Sequence, residues 1–154
     1  MRLEEKIAKK LLSKGKTLSL AESCTGGFLA NQLTNIPGSS RFFVLSCVTY
    51  SNKSKEMLLG VPKKLIQRHG AVSQAVAEKM AKNVRRILKT DFGLAITGIA
   101  GPSGGTKTKP IGLTYIALAT KDKVECHRYI FEGGRLCVKS KAAKSALRLL
   151  LRFL

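Results

Sequence analysis

The sequence predicts an α/β fold, a three-layer α/β/α sandwich around a mixed central sheet. Three observations predict it. Helix-periodic stretches separate the early strand-like runs, so the first strands connect through crossovers rather than tight turns. Two later apolar runs, at 111–120 and 124–131, are joined only by Lys121-Asp122-Lys123, which makes them an antiparallel hairpin. The last stretch is a long amphipathic helix able to cover one face of the sheet. No repeat, linker or low-complexity tract divides the 154 residues, and 1–154 reads as a single domain.

The elements follow in order. Residues 2–14 form a helix with Leu3, Ile7, Leu11 and Leu12 on one face, stopped by Gly15. A strand over 17–22 leads through a small-residue turn to a helix over 26–34. Ile36-Pro37-Gly38-Ser39-Ser40 is a loop. The nearly unbroken apolar run over 42–50 suits a strand buried on both faces. Ser51 caps a short helix that Gly60 closes, and Pro62 can start another over 62–68, ended near Gly70. Ser73 caps a long helix to about Leu88, whose apolar face includes Val76, Ala77, Met80, Ala81 and Val84. A strand over 92–97, a glycine-rich loop over 98–110, the hairpin and a helix over 135–153 complete the chain.

Composition narrows the function classes. No apolar run reaches the ~18 residues of a membrane span, and the N-terminus lacks a signal peptide's apolar centre, so a cytoplasmic protein without membrane attachment is expected. With 28 Lys+Arg against 9 Asp+Glu, the formal net charge is +19. Nucleic acid is therefore a possible partner, but the cations are spread over most helices and aromatic residues are few, so it is not the favoured one. Cys24, Cys47, Cys126 and Cys137 show no Cys-x-x-Cys spacing, and only two histidines are present, so no metal site is expected. Cys47 and Cys126 fall in apolar strand-like runs and read as core. Cys24 lies in the key turn, but no histidine is near it in sequence to activate it.

Four stretches have the residue types of a catalytic site. The first is Ala21-Glu22-Ser23-Cys24-Thr25-Gly26-Gly27, a strand, a hydroxyl-rich turn and a helix start. It can present a nucleophile beside backbone N–H groups and the positive end of a helix. The alternative is that Ser23 or Thr25 simply caps the helix. A serine nucleophile needs a base, and a lysine serves if its pKa is lowered. The second stretch, Thr49-Tyr50-Ser51-Asn52-Lys53-Ser54-Lys55, offers such a lysine: Lys55 falls one turn after the Ser51 cap, near Tyr50 at the strand end, while Lys53 reads as solvated. The third runs from Thr97 through Gly98, Gly101, Gly104 and Gly105, a loop that lets a ligand approach the backbone; it is neither a Walker A loop nor a Rossmann fingerprint. Lys107 and Lys109 either add charge there or are merely solvated. The fourth is Phe131-Glu132-Gly133-Gly134-Arg135, whose arginine suits a phosphate or carboxylate but equally a plain surface position.

Together these stretches, with Gly-Ala-Val-Ser at 70–73, Thr-Gly-Ile-Ala-Gly-Pro at 97–102 and Lys-Pro-Ile-Gly at 109–112, resemble the CinA C-terminal domain family over about residues 3–152. The resemblance implies a three-layer α/β/α domain, usually dimeric, that acts without a cofactor. It implies hydrolysis of the carboxamide of nicotinamide mononucleotide to nicotinate mononucleotide and ammonia. Carried over by position, Ser23 is the nucleophile, Lys55 the general base, Tyr50 a proton organiser and Thr97 a residue of the catalytic centre. Thr25, Gly26, Gly101, Gly104, Gly105 and Arg135 then shape the substrate pocket. Four positions depart from the family pattern: Gly134 stands where an aspartate is usual, Lys139 where a second arginine is frequent, Gln74 where a glutamate is frequent and Asn83 where a glycine is. The rival expectation is a divergent member that binds nucleotide or nucleic acid without amidase activity.

Overall fold

The computed structural model describes all of residues 1–154. Its elements are α1 (Leu3–Lys14), β1 (Leu18–Glu22), α2 (Phe28–Thr34), a 3-10 turn at Ser39–Arg41, β2 (Phe43–Val48), α3 (Asn52–Leu59), α4 (Lys63–His69), α5 (Gln74–Ile87), β3 (Phe92–Gly98), β4 (Leu113–Ala119), β5 (Val124–Ile130) and α6 (Arg135–Phe153). The strands form one sheet in the order β2-β1-β3-β4-β5. β2, β1 and β3 run parallel, and β4 and β5 return antiparallel, giving the mixed sheet expected from the sequence. No helix is long and apolar enough to cross a membrane.

Alternation along the strands decides how each helical layer docks. Leu18 and Leu20 of β1, Leu94 and Ile96 of β3, and Ile116 and Leu118 of β4 point to one face. There they meet Ile7 and Leu11 of α1, Leu29 and Leu33 of α2, and Val138, Ala142 and Leu149 of α6. The other face carries small residues: Ala21, Ala95, Ala117 and Ala119 pack against Val76, Ala77, Met80, Ala81 and Val84 of α5, with Leu59 and Ile66 closing the layer. The methionine is fully buried there, as its helical spacing predicts. Bulky residues hold one layer off, and small ones draw α5 close. The closest approach is at Gly93, where an added Cβ would lie 2.2 Å from the Ala81 carbonyl oxygen and 2.6 Å from Arg85 Cβ.

Four expectations need correction. The 42–50 run is not a strand buried on both faces: β2 is an edge strand, and Val44 and Val48 are 44% and 45% exposed. Apolarity alone does not distinguish an edge from a centre, and the sheet order places β1 and β3 inside instead. For the same reason Cys47 and Cys126 are only half-buried, since they lie on the two edge strands β2 and β5. The helix expected at 26–34 begins at Phe28, because Gly26 and Gly27 take left-handed conformations (φ 61° and 96°) that exclude them from it. Pro62 stands at the N-cap of α4 rather than inside its first turn.

The close approach of α5 yields a test. Gly93→Ala is expected to lower the unfolding free energy by about 3 kcal/mol through overpacking, read as a shift of the urea midpoint. An unchanged midpoint would show that α5 can lift off β3 without cost.

Candidate active site

β1 ends at Glu22, and its main chain delivers Ser23 into the turn that precedes α2. The turn is closed by Gly26 N–H to Ser23 O (3.0 Å) and Phe28 N–H to Thr25 O (3.0 Å). A helix start leaves backbone N–H groups without intrahelical acceptors. Here the fully buried Glu22 carboxylate supplies them: Oε1 accepts from Leu29 N–H (3.0 Å) and Oε2 from Ala30 N–H (2.9 Å). Neither Ser23 nor Thr25 caps the helix, so the Ser23 hydroxyl remains free for another partner. Thr25 is buried, and its hydroxyl has no hydrogen-bond partner. The backbone N–H groups of Ser23 and Thr25 also find no acceptor in the chain.

That partner of Ser23 comes from α3. The Ser51 hydroxyl accepts from Ser54 N–H (3.1 Å), fixing the first turn, and Gly60 closes the last one with φ 61°. Lys55 is thereby held 1% exposed, with Nζ 2.9 Å from Ser23 Oγ, 2.6 Å from the Thr49 carbonyl and 3.2 Å from the Tyr50 carbonyl. The strand end bearing the Thr49 carbonyl is itself tied to β1 by Thr49 N–H to Glu22 O (2.9 Å). No carboxylate forms an ion pair with Lys55. Burial without a counter-charge lowers its pKa to about 8. Carbonyl oxygens only accept. When Lys55 is neutral, the Thr49 and Tyr50 carbonyls can therefore engage its two N–H groups, and the lone pair faces the Ser23 hydroxyl. A lysine at pKa 8 is about a tenth neutral at pH 7, against roughly one part in three thousand for a solvated one.

The opposite wall comes from the end of β3 and its loop. Thr97 is 1% exposed, and its hydroxyl donates to the Ala71 carbonyl (3.0 Å). Ser23, Cys24, Tyr50, Lys55, Thr97, Gly101, Gly104 and Arg135 all border one cavity of about 310 Å3, together with Ala71, Val72 and Ser103. Thr25, Gly26 and Gly105 do not border it. Gly26 instead lies beside Lys139, whose Nζ would be 3.8 Å from a Cβ added at Gly26. Gly105 sits against Ile111 and Pro110 in the loop.

Arg135 donates to the Gly101 carbonyl (2.6 Å) and to the Tyr50 hydroxyl (3.0 Å), so it bridges the glycine loop to the end of β2 across the cavity mouth. The Tyr50 hydroxyl thus meets Arg135, whereas Lys55 meets the Tyr50 carbonyl. Cys24 borders the cavity, but burial raises its thiol pKa to about 11, which leaves it protonated and unreactive at neutral pH.

One supporting residue has no role assigned from the sequence, and a second has a role other than those expected. Glu22 looks like one more strand residue; the available signal was an acid placed just before a glycine-led helix with no hydroxyl at its cap. Lys109 is neither solvated nor aimed at a ligand. Its Nζ donates to the His69 and Val72 carbonyls and so pins the glycine loop to the segment before α5.

Comparison with known proteins places this arrangement. The family model of the CinA C-terminal domain matches residues 1–154. A CinA-like protein of Syntrophus aciditrophicus is 49% identical over 153 residues, covering 99% of this chain and 36% of the relative. A putative competence-damage inducible protein of Desulforudis audaxviator is 47% identical over 151 residues, covering 98% of this chain and 37% of the relative. The chain thus spans little more than a third of the length of these relatives. The crystal structure of a competence-damaged protein (CinA) superfamily protein from Escherichia coli superposes with a TM-score of 0.95 at 32% identity, covering 99% of this chain and 88% of that one. The competence damage-inducible protein A of Klebsiella pneumoniae gives 0.94 at 33% identity, covering 97% and 93%.

The geometry yields two stability tests. Glu22→Ala is expected to cost about 2–3 kcal/mol, because it strips a buried helix start of both acceptors; denaturant melts measure it, and no loss would assign the capping to other groups. Lys55→Met is expected to stabilise the fold at pH 7. With a folded pKa near 8 and an unfolded one near 10.5, the native wild type holds fewer protons than the unfolded chain between those values, so wild-type stability rises with pH across that window. The advantage of Lys55→Met should therefore shrink from pH 8 towards pH 10.5. Melts showing a pH-independent difference would remove the unpaired ammonium as its cause.

Proposed function

We propose that this chain, which belongs to the CinA C-terminal domain family, is a serine–lysine amidohydrolase acting on the carboxamide of nicotinamide mononucleotide. The observation that carries the reaction class is the buried Lys55 amine, 2.9 Å from Ser23 Oγ and held from its other side by two carbonyls. The choice of substrate rests on the family resemblance of the motifs around Ser23, Lys55 and Thr97.

The geometry supports the following steps. Neutral Lys55 takes the Ser23 proton as Oγ attacks the amide carbon. The carbonyl oxygen becomes an oxyanion, and the acceptor-free N–H groups of the Ser23–Thr25 turn stabilise it. The Lys55 ammonium then protonates the departing nitrogen, the C–N bond breaks, and ammonia leaves an acyl ester on Ser23. Water attacks that ester with Lys55 again as base; the carboxylate departs and the serine is restored. Thr97, its hydroxyl fixed on the Ala71 carbonyl, bounds the reacting group. Arg135 uses two of its N–H groups on Gly101 and Tyr50 and retains others, with its full charge, for the phosphate at the cavity mouth. Lys139 adds charge beside Gly26, without the two-pronged geometry of an arginine.

Ammonia release from nicotinamide mononucleotide is the direct test. Ser23→Ala is expected to lower kcat at least about a thousandfold with the fold intact by circular dichroism. The kcat/KM profile of the wild type should rise with pH through an apparent pKa near 8, as Lys55 loses its proton. Near-normal turnover by Ser23→Ala, or a profile flat from pH 6 to 9, would end the Ser23–Lys55 assignment.

A further inference from the structure

The site above sits at the carboxyl ends of β1 and β3. The opposite end of the sheet, where β1 and β3 begin and the β4–β5 hairpin turns, opens into a larger cleft of about 810 Å3. Lys16, Arg85, Arg86, Lys89 and Lys121 line it. A second cleft, of about 340 Å3, shares Arg85, Arg86 and Lys121 with the first and adds Lys82 and Lys123. Seven cations therefore border one continuous depression, and only two carboxylates, Asp91 and Asp122, face them. Asp91 is already engaged: it pairs with Lys16 at 2.9 Å and accepts from the Thr17 amide and hydroxyl. Arg85 donates to the Thr90 carbonyl, while Arg86, Lys89 and Lys121 are exposed and make no ion pair.

We propose that this basic cleft binds the phosphodiester backbone of a nucleic acid. The cations are strung along two joined depressions instead of converging on one point, which fits an extended row of phosphates better than a single small anion. Phe92 is the only aromatic residue in the lining and is 7% exposed, so no platform for base stacking is present. Binding through phosphates alone is independent of base sequence. Lys89 fits this reading: it has a left-handed backbone (φ 51°) just past the end of α5, a position normally given to glycine, and so sets a charged side chain at the cleft edge. The cleft is concave, which suits a strand of phosphates better than a flat bilayer surface. The net charge of +19 adds long-range attraction to any polyanion.

Fluorescence anisotropy with 20-nucleotide probes tests the proposal, using duplex DNA, single-stranded DNA and RNA at 50 to 300 mM salt. The wild type should bind with log Kd rising linearly in log salt with a slope of about 3–5, one phosphate contact contributing roughly 0.7–0.9. Arg86→Glu/Lys89→Glu/Lys121→Glu should weaken binding at least about thirtyfold at 50 mM salt. Lys6→Glu/Lys144→Glu/Arg148→Glu makes the same net change on the α1–α6 layer and should weaken it no more than about threefold. Both triples keep the Ser23–Lys55 site untouched, so unchanged circular dichroism and unchanged ammonia release establish their integrity. Which probe binds tightest identifies the nucleic acid. Equal losses in the two triples, no binding at 50 mM salt, or tighter binding to vesicles containing 30% phosphatidylserine than to any oligonucleotide would each overturn the proposal.

Discussion

A lysine buried without a carboxylate is the constraint on which the site depends. Desolvating an ammonium is costly, and the usual remedy is an acidic neighbour. Such a neighbour would hold Lys55 protonated and remove the basicity that the proposed mechanism requires. Here the charge is met only by two main-chain carbonyls and a serine hydroxyl. That arrangement satisfies the N–H groups and still lets the proton leave near neutral pH. Glu22, the acid that precedes Ser23 along the chain, is held away from this role because both its oxygens are committed to the start of α2. One buried carboxylate thus completes a helix, leaves Ser23 free and remains uncoupled from the base.

The sheet explains why these groups meet. Ser23 follows β1 and Thr97 lies near the end of the adjacent parallel strand β3, so both emerge at the same end, and β2, on the other side of β1, brings Thr49 and Tyr50 to the same level. The small residues on one face let α5 close onto the sheet at Gly93, which fixes the segment carrying Ala71 against Thr97. Lys109 and Arg135 then tie the glycine loop to its two neighbours, the segment before α5 and the end of β2. Cavity shape is thus set by main-chain acceptors holding long cationic side chains, so the loop is braced without being packed.

Much of this was legible in the sequence, for identifiable reasons. Element order was readable because apolar periodicity changes cleanly at Gly15, Gly60 and Gly70, and caps such as Ser51 and Ser73 are local chemistry. Ser23 and Thr97 stood out as hydroxyls at strand ends before glycine-containing turns, and Lys55 as a lysine one turn after the Ser51 cap, while their proposed roles came from the family resemblance. The edge position of β2 was not: edge and central strands share composition, and only the long-range sheet order separates them. Glu22 was hidden because its partners, Leu29 and Ala30, are backbone groups with no side-chain signature. The partners of Arg135 and Lys109 were hidden for the same reason, since a carbonyl acceptor can belong to any residue.

The placement of charge follows from the same architecture. Nearby cations disfavour the ammonium form of a lysine, which helps rather than hinders the neutral form that the proposed mechanism needs. A strongly basic chain can therefore carry this site, whereas a site needing a protonated lysine would suffer under such a charge. At the other end of the sheet the arithmetic differs. The carboxyl end of α5 already bears the negative pole of its dipole, and Arg85 and Arg86 in its last turn offset it. Lys82, Lys89, Lys121 and Lys123 exceed what that pole requires. Cations that repel one another across a cleft raise the energy of the free protein, and a polyanion that entered would relieve that repulsion. The excess is thus intelligible as half of a complementary pair.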